Sequence, residues 1–379
     1  MAKKDNDARY STPDSHRQIR TSVHDVGSEI SLTSMEFPPP SGRASTQSRQ
    51  SHHSDHQLPR TRTYHPFAPH VLLLLIPSSI FGLLARLGLV ALGTYEGQSI
   101  FPLAYAQGLG CFVMGYFVFL KEPMGKLQVI PVLYPPLYTA LTTGFCGSLT
   151  TFSSWQLDVF NSWLNPQDAH RPGLRDFMDG LGKTVFTLAI SLASVLFGGY
   201  MARVSGHYLP SLPPPSHTVR YALTIACVLF YAATLPTYFL LPNSFRHRVT
   251  AALLFAFPGT LVRYILSVYL NPIMASFPLG TFAANFLGTG LLAAFHVIQS
   301  IANKPVSPNA CSLLQGLVDG FCGCLTTVST FAVEIRALQG WERPRYVVMS
   351  WGAGQILFLL VMGPSLLAGN KKIMTCSFN

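Results

Sequence analysis

Two stretches of this chain could hold an ion without using a charged side chain. Gly144-Phe145-Cys146-Gly147-Ser148-Leu149-Thr150-Thr151-Phe152-Ser153-Ser154-Trp155 returns as Gly320-Phe321-Cys322-Gly323-Cys324-Leu325-Thr326-Thr327-Val328-Ser329-Thr330-Phe331. Eight of the twelve positions are identical, with Gly, Cys and Thr in register, so the chain contains a duplication. Wherever a Gly-x-x-Thr-Thr helix unwinds, its carbonyl oxygens are exposed, and carbonyl oxygens are cation ligands. Two such segments meeting on a pseudo-two-fold axis would form a small oxygen cage for a monovalent cation. The alternative is close packing through small residues, with Ser and Thr bonded back to their own helix. Asn285 is an amide inside the apolar run Gly280-Thr281-Phe282-Ala283-Ala284-Asn285-Phe286-Leu287-Gly288. It could glue helices or donate hydrogen bonds into a pore. Phe152, Trp155 and Phe331 suit a core or a lipid face; along a path, their positive ring edges could replace part of an anion's hydration.

The duplication extends outward. Gly82 and Arg86 answer Gly259 and Arg263, Phe101-Pro102-Leu103 answers Phe277-Pro278-Leu279, and Asp158 stands near where Glu334 stands. The counterpart of Asn285 is Gln107, in Gln107-Gly108-Leu109-Gly110, two residues out of step with the Phe-Pro-Leu match. Arginines inside apolar runs are costly, and both a snorkelling or structural anchor and an anion-attracting vestibule remain open for Arg86 and Arg263. Asp158 and Glu334 are expected to cap or pair the broken helix rather than to move protons.

These residues need a membrane to sit in. Of the 379 residues 49% are hydrophobic and only 11% charged, against about 25% charged in a soluble domain. Nine apolar runs, near 71–93, 101–120, 132–160, 180–204, 219–241, 246–270, 277–300, 309–337 and 345–367, are long enough to span. The third and eighth carry Gly, Ser and Thr in mid-span, where a break is tolerated only if protein or a water-filled cavity satisfies the backbone. The expected fold is all-α integral membrane, with nine transmembrane helices in two four-helix repeats. The run 219–241 lies between the repeats as a linker helix and inverts the second copy relative to the first. The expected organisation is a disordered cytosolic tail (1–69), a first domain (70–205), a linker with the inverting helix (206–244), a second domain (245–369) and a C-terminal tail (370–379).

The tail is rich in Ser, His, Pro, Arg and Asp, as at Pro38-Pro39-Pro40 and Ser51-His52-His53, with no apolar periodicity. No cleavable signal precedes the first apolar run, so that run is expected to direct insertion. With the tail cytosolic, that side also collects Lys121, Lys126, Arg203, Arg220, Arg336, Arg343 and Arg345. The other side receives Arg171, Arg175, Lys183, Arg246, Arg248, Lys304, Lys371 and Lys372. This bias predicts a cytosolic N-terminus and an external C-terminus. The net charge of +10 is spread over tail and loops without a basic helix or aromatic-basic sheet, which argues against nucleic acid. Six of the seven cysteines, Cys111, Cys146, Cys227, Cys311, Cys322 and Cys324, lie in or beside apolar runs and are expected to be small buried residues, not a disulfide framework. Phosphate-loop, His-Glu-x-x-His and Gly-x-Ser-x-Gly patterns are absent, so no enzyme is expected.

On its Gly-Phe-Cys-Gly-x-Leu-Thr-Thr-x-Ser signature, in both repeats (roughly 71–205 and 246–367), the chain resembles the eukaryotic fluoride exporter (FEX) branch of the CrcB/Fluc fluoride channel family. The resemblance implies a passive fluoride channel of the plasma membrane that protects the cell by export. It implies a single chain acting as an internal pseudo-dimer, with no cofactor except a structural sodium ion. That ion would be held by the carbonyls of Gly147, Thr150, Gly323 and Thr326. The family's pore phenylalanines map to Phe152 and Trp155, then to Val328 and Phe331. The pore asparagine maps to Asn285, and to Gln107 only as a substitution. Thr151 and Thr327 go with the pore, as do the hydroxyls Ser191, Ser194 and Ser350, whose other reading is helix packing. The replacements at 107, 155 and 328 imply that one of two ancestral pores is degenerate and that the one using Asn285 works. The competing readings are a secondary transporter of another small anion or metabolite, built on Asp158 or Glu334, and a structural membrane protein.

Overall fold

The computed structural model describes residues 65–98, 100–121, 134–165, 173–208, 215–241, 249–300, 306–367 and 376. The expectations for the tail up to residue 64, and for Lys126, Arg171, Arg246, Arg248, Lys304, Lys371 and Lys372, lie outside these residues. Among the described residues the structure is helical and contains no strand. Eight helices are long and apolar enough to cross a membrane, as in a multi-pass membrane protein.

The helices are α1 (Pro69–Gly93), α2 (Leu103–Lys121), α3 (Phe152–Leu164), α4 (Gly173–Ser205), α5 (His217–Ala232), α6 (Ala251–Leu270), α7 (Leu279–Gln299), α8 (Ser329–Ala337) and α9 (Glu342–Val361). Ahead of α3 the chain runs through Pro135–Thr139, a π-helical Ala140–Cys146 and Gly147–Leu149, then breaks at Thr150 and Thr151. Ahead of α8 the same order recurs: Pro308–Gly316, a π-helical Leu317–Cys322 and Gly323–Leu325, then a break from Thr326 to Val328. π turns of this kind favour functional sites, and here both lead directly into a break.

Each repeat packs its first helix on its own pre-break segment, α1 on 135–149 and α6 on 308–325. Glycine makes this possible: a Cβ on Gly82 would strike the Phe145 carbonyl, and one on Gly259 the Phe321 carbonyl. The helices after the breaks cross over. α3 packs against α7 and α9 of the second repeat, and α8 against α2 and α4 of the first. α5 leans on α1 and leaves Tyr221 and Leu229 exposed, as a lipid-facing helix does.

Three expectations need correction. Cys311 is not an isolated buried thiol but is disulfide-bonded to Cys376; a pairing across 65 residues leaves no spacing signal. Cys111, Cys146, Cys227, Cys322 and Cys324 are free and buried. The tail does not stay clear of the bundle up to residue 69: the Pro66 carbonyl accepts from Tyr264 Oη at 2.8 Å, and Phe67 stacks on Tyr269. Arg86 and Arg263 do not snorkel, since 4% and 2% of their surfaces are exposed. Their length carries them inward, Arg86 to carbonyls of both repeats and Arg263 to the Cys324 carbonyl of its own repeat.

Candidate functional site: an ion path between the repeats

The two breaks meet and complete one another. Thr150 Oγ1 accepts from the backbone N–H groups of Val328 (3.2 Å) and Ser329 (3.0 Å), capping α8 of the other repeat. Thr326 Oγ1 accepts from the Ser153 N–H at 3.1 Å, capping α3. Each threonine donates its own proton one turn back, to Cys146 and Cys322 respectively. Intrinsic capping by Thr is ordinary; exchanging caps between repeats makes neither half complete alone. Replacing Thr150 or Thr326 by Val is expected to cost about 1 kcal/mol each. The two losses should exceed additivity when combined, as read from thermal unfolding of the detergent-solubilised protein.

Arginine crosses the same junction. Arg86 Nη1 donates to the Ser148 carbonyl at 2.7 Å and to the Gly323 carbonyl at 2.6 Å, and Nη2 donates to the Asp319 carbonyl. Arg263 Nε donates to the Cys324 carbonyl at 2.9 Å, and its Nη2 has no partner among the described residues. A Cβ on Gly147 would collide with the Arg263 guanidinium, and one on Gly323 with that of Arg86. Both glycines are therefore spacers for the other repeat's arginine. Of the four carbonyls on which the resemblance places a sodium ion, that of Gly323 already has a protein donor. The Gly323 carbonyl accepts from Arg86, and a guanidinium covers each of the two glycines. No step below is routed through that ion.

Asn285 closes the break of its own repeat with a reciprocal pair: Nδ2 donates to the Thr327 carbonyl (3.2 Å), and Oδ1 accepts from the Thr327 N–H (2.8 Å). Gln107 reproduces half of this, donating from Nε2 to the Thr151 carbonyl at 2.7 Å and leaving Oε1 unpaired. Gly110 and Gly288, each three residues on, both face the threonine methyl and leucine of their own break, so Gln107 and Asn285 are structural equivalents despite the two-residue offset.

From these two positions run two lanes of different chemistry. On α7, Thr281, Asn285 and Thr289 lie at successive i, i+4 spacings on one buried face. Thr281 Oγ1 and Tyr346 Oη donate to the two carboxylate oxygens of Glu334 at 2.6 and 2.7 Å, which ties α8 to α7 and α9 and leaves the break itself uncapped by this carboxylate. Tyr346, Ser350 and Gly354 form the buried face of α9. The hydroxyls of Thr289 and Ser350 are buried without a hydrogen-bond partner among the described residues. Farther on, Gln355 of α9 meets Gln156 of α3. On α2 the matching positions are Leu103, Gln107 and Cys111, and Ala332 takes the place of Gln156. Met114, Val118, Val195, Val328 and Phe331 give this second lane an apolar lining, interrupted by Thr187 and Ser191, whose hydroxyls are buried without a hydrogen-bond partner among the described residues. Phe119 lies beneath both Arg203 (5.2 Å) and Arg336 (3.9 Å) at the end of this lane.

The aromatic residues join the two lanes. Trp155 meets Phe152 at 5.3 Å, Phe152 meets Phe331 edge-on at 5.6 Å, and Phe331 meets Tyr346 at 5.0 Å. Trp155 Nε1 donates to the Lys183 carbonyl, which a phenylalanine at that position could not do. The structure thus brings together Phe152, Trp155, Phe331, Thr151, Thr327, Gln107 and Asn285 around the breaks. Thr281, Thr289, Gln156, Gln355 and Tyr346 were not singled out in the sequence. The i, i+4, i+8 stripe of Thr281, Asn285 and Thr289 was the available signal.

Residues 73–200 and 250–363 each match the family described as CrcB-like protein, Camphor Resistance (CrcB). The chain belongs to the CrcB family. A relative from Candida albicans named Fluoride export protein 1 is 34% identical over 77% of this chain and 78% of its own length. A protein of the same name from Schizosaccharomyces pombe is 32% identical over 75% of this chain and 93% of its own. Fluoride-specific ion channel FluC of Acinetobacter baumannii is 40% identical over 21% of this chain and 60% of its own. No solved structure matches. In this CrcB-family chain the two matched segments contain the two breaks and the two candidate lanes.

Proposed function

We propose that this chain is a passive fluoride channel of the plasma membrane, not an enzyme, and that fluoride leaves the cell along the lane that contains Asn285. The relatives named for fluoride export support the substrate. The observation that carries the choice of lane is chemical contrast. One lane offers hydroxyl and amide groups at every turn of α7, from Thr281 through Asn285 to Thr289, whereas the other offers Leu103, Gln107 and Cys111. A small anion stripped of water needs N–H and O–H donors along its path. Thr289 and Ser350 hold such groups buried and without a partner among the described residues, as Thr187 and Ser191 do in the other lane, an arrangement that ordinarily costs about 1–3 kcal/mol per group; the contrast therefore lies in Thr281 and Asn285. Phe152 and Phe331 add ring edges between donors. The test is expression in a microbe lacking its own fluoride exporter: growth should recover in fluoride-containing medium and be unchanged in chloride. Failure by a correctly inserted protein to restore growth would contradict the reading.

The reading includes nine crossings of inverted topology, the stretch 135–164 being the ninth and equivalent to 308–337. Because the repeats exchange caps and post-break helices, one chain forms a complete pseudo-dimer. The N-terminus is cytosolic and the C-terminus external. The disulfide supports this orientation independently of the charge bias. Disulfides persist in oxidising compartments, and with nine crossings both Cys311 and Cys376 fall outside. In intact cells, an impermeant reductant followed by an impermeant maleimide should therefore label two cysteines. Labelling that requires permeabilised cells would reverse the orientation.

A further inference from the structure

The strongest unassigned feature is a pair of buried amides where the Asn285 lane crosses from one repeat to the other. Gln355 Nε2 donates to both Gln156 Oε1 (2.6 Å) and the Gln156 carbonyl (3.0 Å). Gln156 is fully buried and Gln355 is 8% exposed. The Gln156 amide nitrogen, with two N–H donors, has no partner among the described residues, and neither has the Gln355 amide oxygen, so the pair leaves one donor and one acceptor open. Glycine makes room for this: a Cβ on Gly354 would come within 2.9 Å of Gln156 Oε1 and 3.0 Å of its Cγ. One turn beyond the pair, Phe160 stacks on Phe358 at 5.4 Å.

We propose that Gln156 and Gln355 form a dehydrating station of the conducting lane, where the amide N–H groups of Gln156 coordinate the passing halide and set the preference for fluoride over chloride. The inference rests on the channel reading above and deepens it. Buried polar groups are normally satisfied, so a paired amide that directs its donor nitrogen at no protein acceptor suits a transient acceptor. Gln355 fixes the orientation: by holding Gln156 Oε1, it turns the Gln156 nitrogen away from itself. The other lane has no such station, since Ala332 stands at the equivalent of Gln156. A small halide accepts stronger hydrogen bonds than a larger one, so a fixed donor of this kind discriminates by size.

The experiment is efflux from proteoliposomes loaded with fluoride or chloride, comparing wild type with Gln156→Leu/Gln355→Leu. This change replaces both partners by apolar groups of similar shape and should leave folding nearly neutral. A fall in fluoride efflux of about tenfold, together with a smaller fluoride-to-chloride ratio, is expected. Gln355→Met, which frees the Gln156 amide to rotate, should lower the ratio with a smaller loss of rate, and it serves as the reading should the double variant not fold. Unchanged rate and ratio in folded variants would mean that the pair only ties the repeats together, and would overturn the proposal. Absence of fluoride efflux from the wild type would instead overturn the channel reading on which it rests.

Discussion

Asn285→Ala is expected to lower fluoride efflux by about two orders of magnitude, while Gln107→Ala changes it by less than about twofold. The asymmetry follows from what each amide holds. Asn285 makes a reciprocal pair with both backbone groups of Thr327, so its loss uncovers a buried N–H and a buried carbonyl at the break, in the lane proposed to conduct. Two such bonds at about 1.4 kcal/mol each correspond to a factor of about 100. Gln107 makes one bond, to the Thr151 carbonyl, in the lane with the more apolar lining. Its removal should appear as lower thermal stability and not as lost flux. Equal losses of efflux in the two variants would mean that both lanes conduct.

Arg86→Leu is expected to be the most destabilising single change in the bundle, and clearly worse than Arg263→Leu. Arg86 donates to the carbonyls of Ser148, Gly323 and Asp319, two of them in the opposite repeat. Each hydrogen bond from a charged donor contributes about 1.5–3 kcal/mol, so removing three costs on the order of 5 kcal/mol, comparable to the whole stability of an ordinary domain. Arg263 has one donated bond and an unpaired Nη2, and its removal should cost about 2 kcal/mol. Size-exclusion profiles and thermal unfolding in detergent would measure both. If Arg263→Leu proved the more damaging, the assignment of Arg86 as the principal clamp between repeats would be wrong.

Much of this architecture can be read from residue order, because duplication repeats a pattern that chance does not. The Gly-Phe-Cys-Gly-x-Leu-Thr-Thr segments mark both breaks, and Asn285 is conspicuous as an amide in an apolar run. The exchange of partners was not legible. Nothing local to Thr150 indicates that its hydroxyl caps a helix beginning at Ser329, since that contact exists only once the repeats have docked. Arg86 and Arg263 are ambiguous in the sequence because position along a helix gives depth but not direction; the direction is inward, for Arg86 to carbonyls of both repeats and for Arg263 to the Cys324 carbonyl of its own repeat. Gln156 and Gln355 drew no attention for a related reason: each is an unremarkable polar residue in its own helix, and their chemistry arises from the crossing of α3 and α9. Helix ends shifted where polar residues extend a span beyond its apolar part, as at α4, which begins at Gly173 rather than near 180.

One chain is expected to form a passive path for fluoride between its two repeats. The most direct test is a fluoride-electrode recording of efflux from liposomes containing the purified wild-type protein, with potassium and valinomycin setting the membrane potential. The account predicts rapid fluoride efflux that follows the imposed potential, needs no proton gradient and is not matched by chloride. Efflux that stops when the proton gradient is removed would identify a coupled carrier and contradict it.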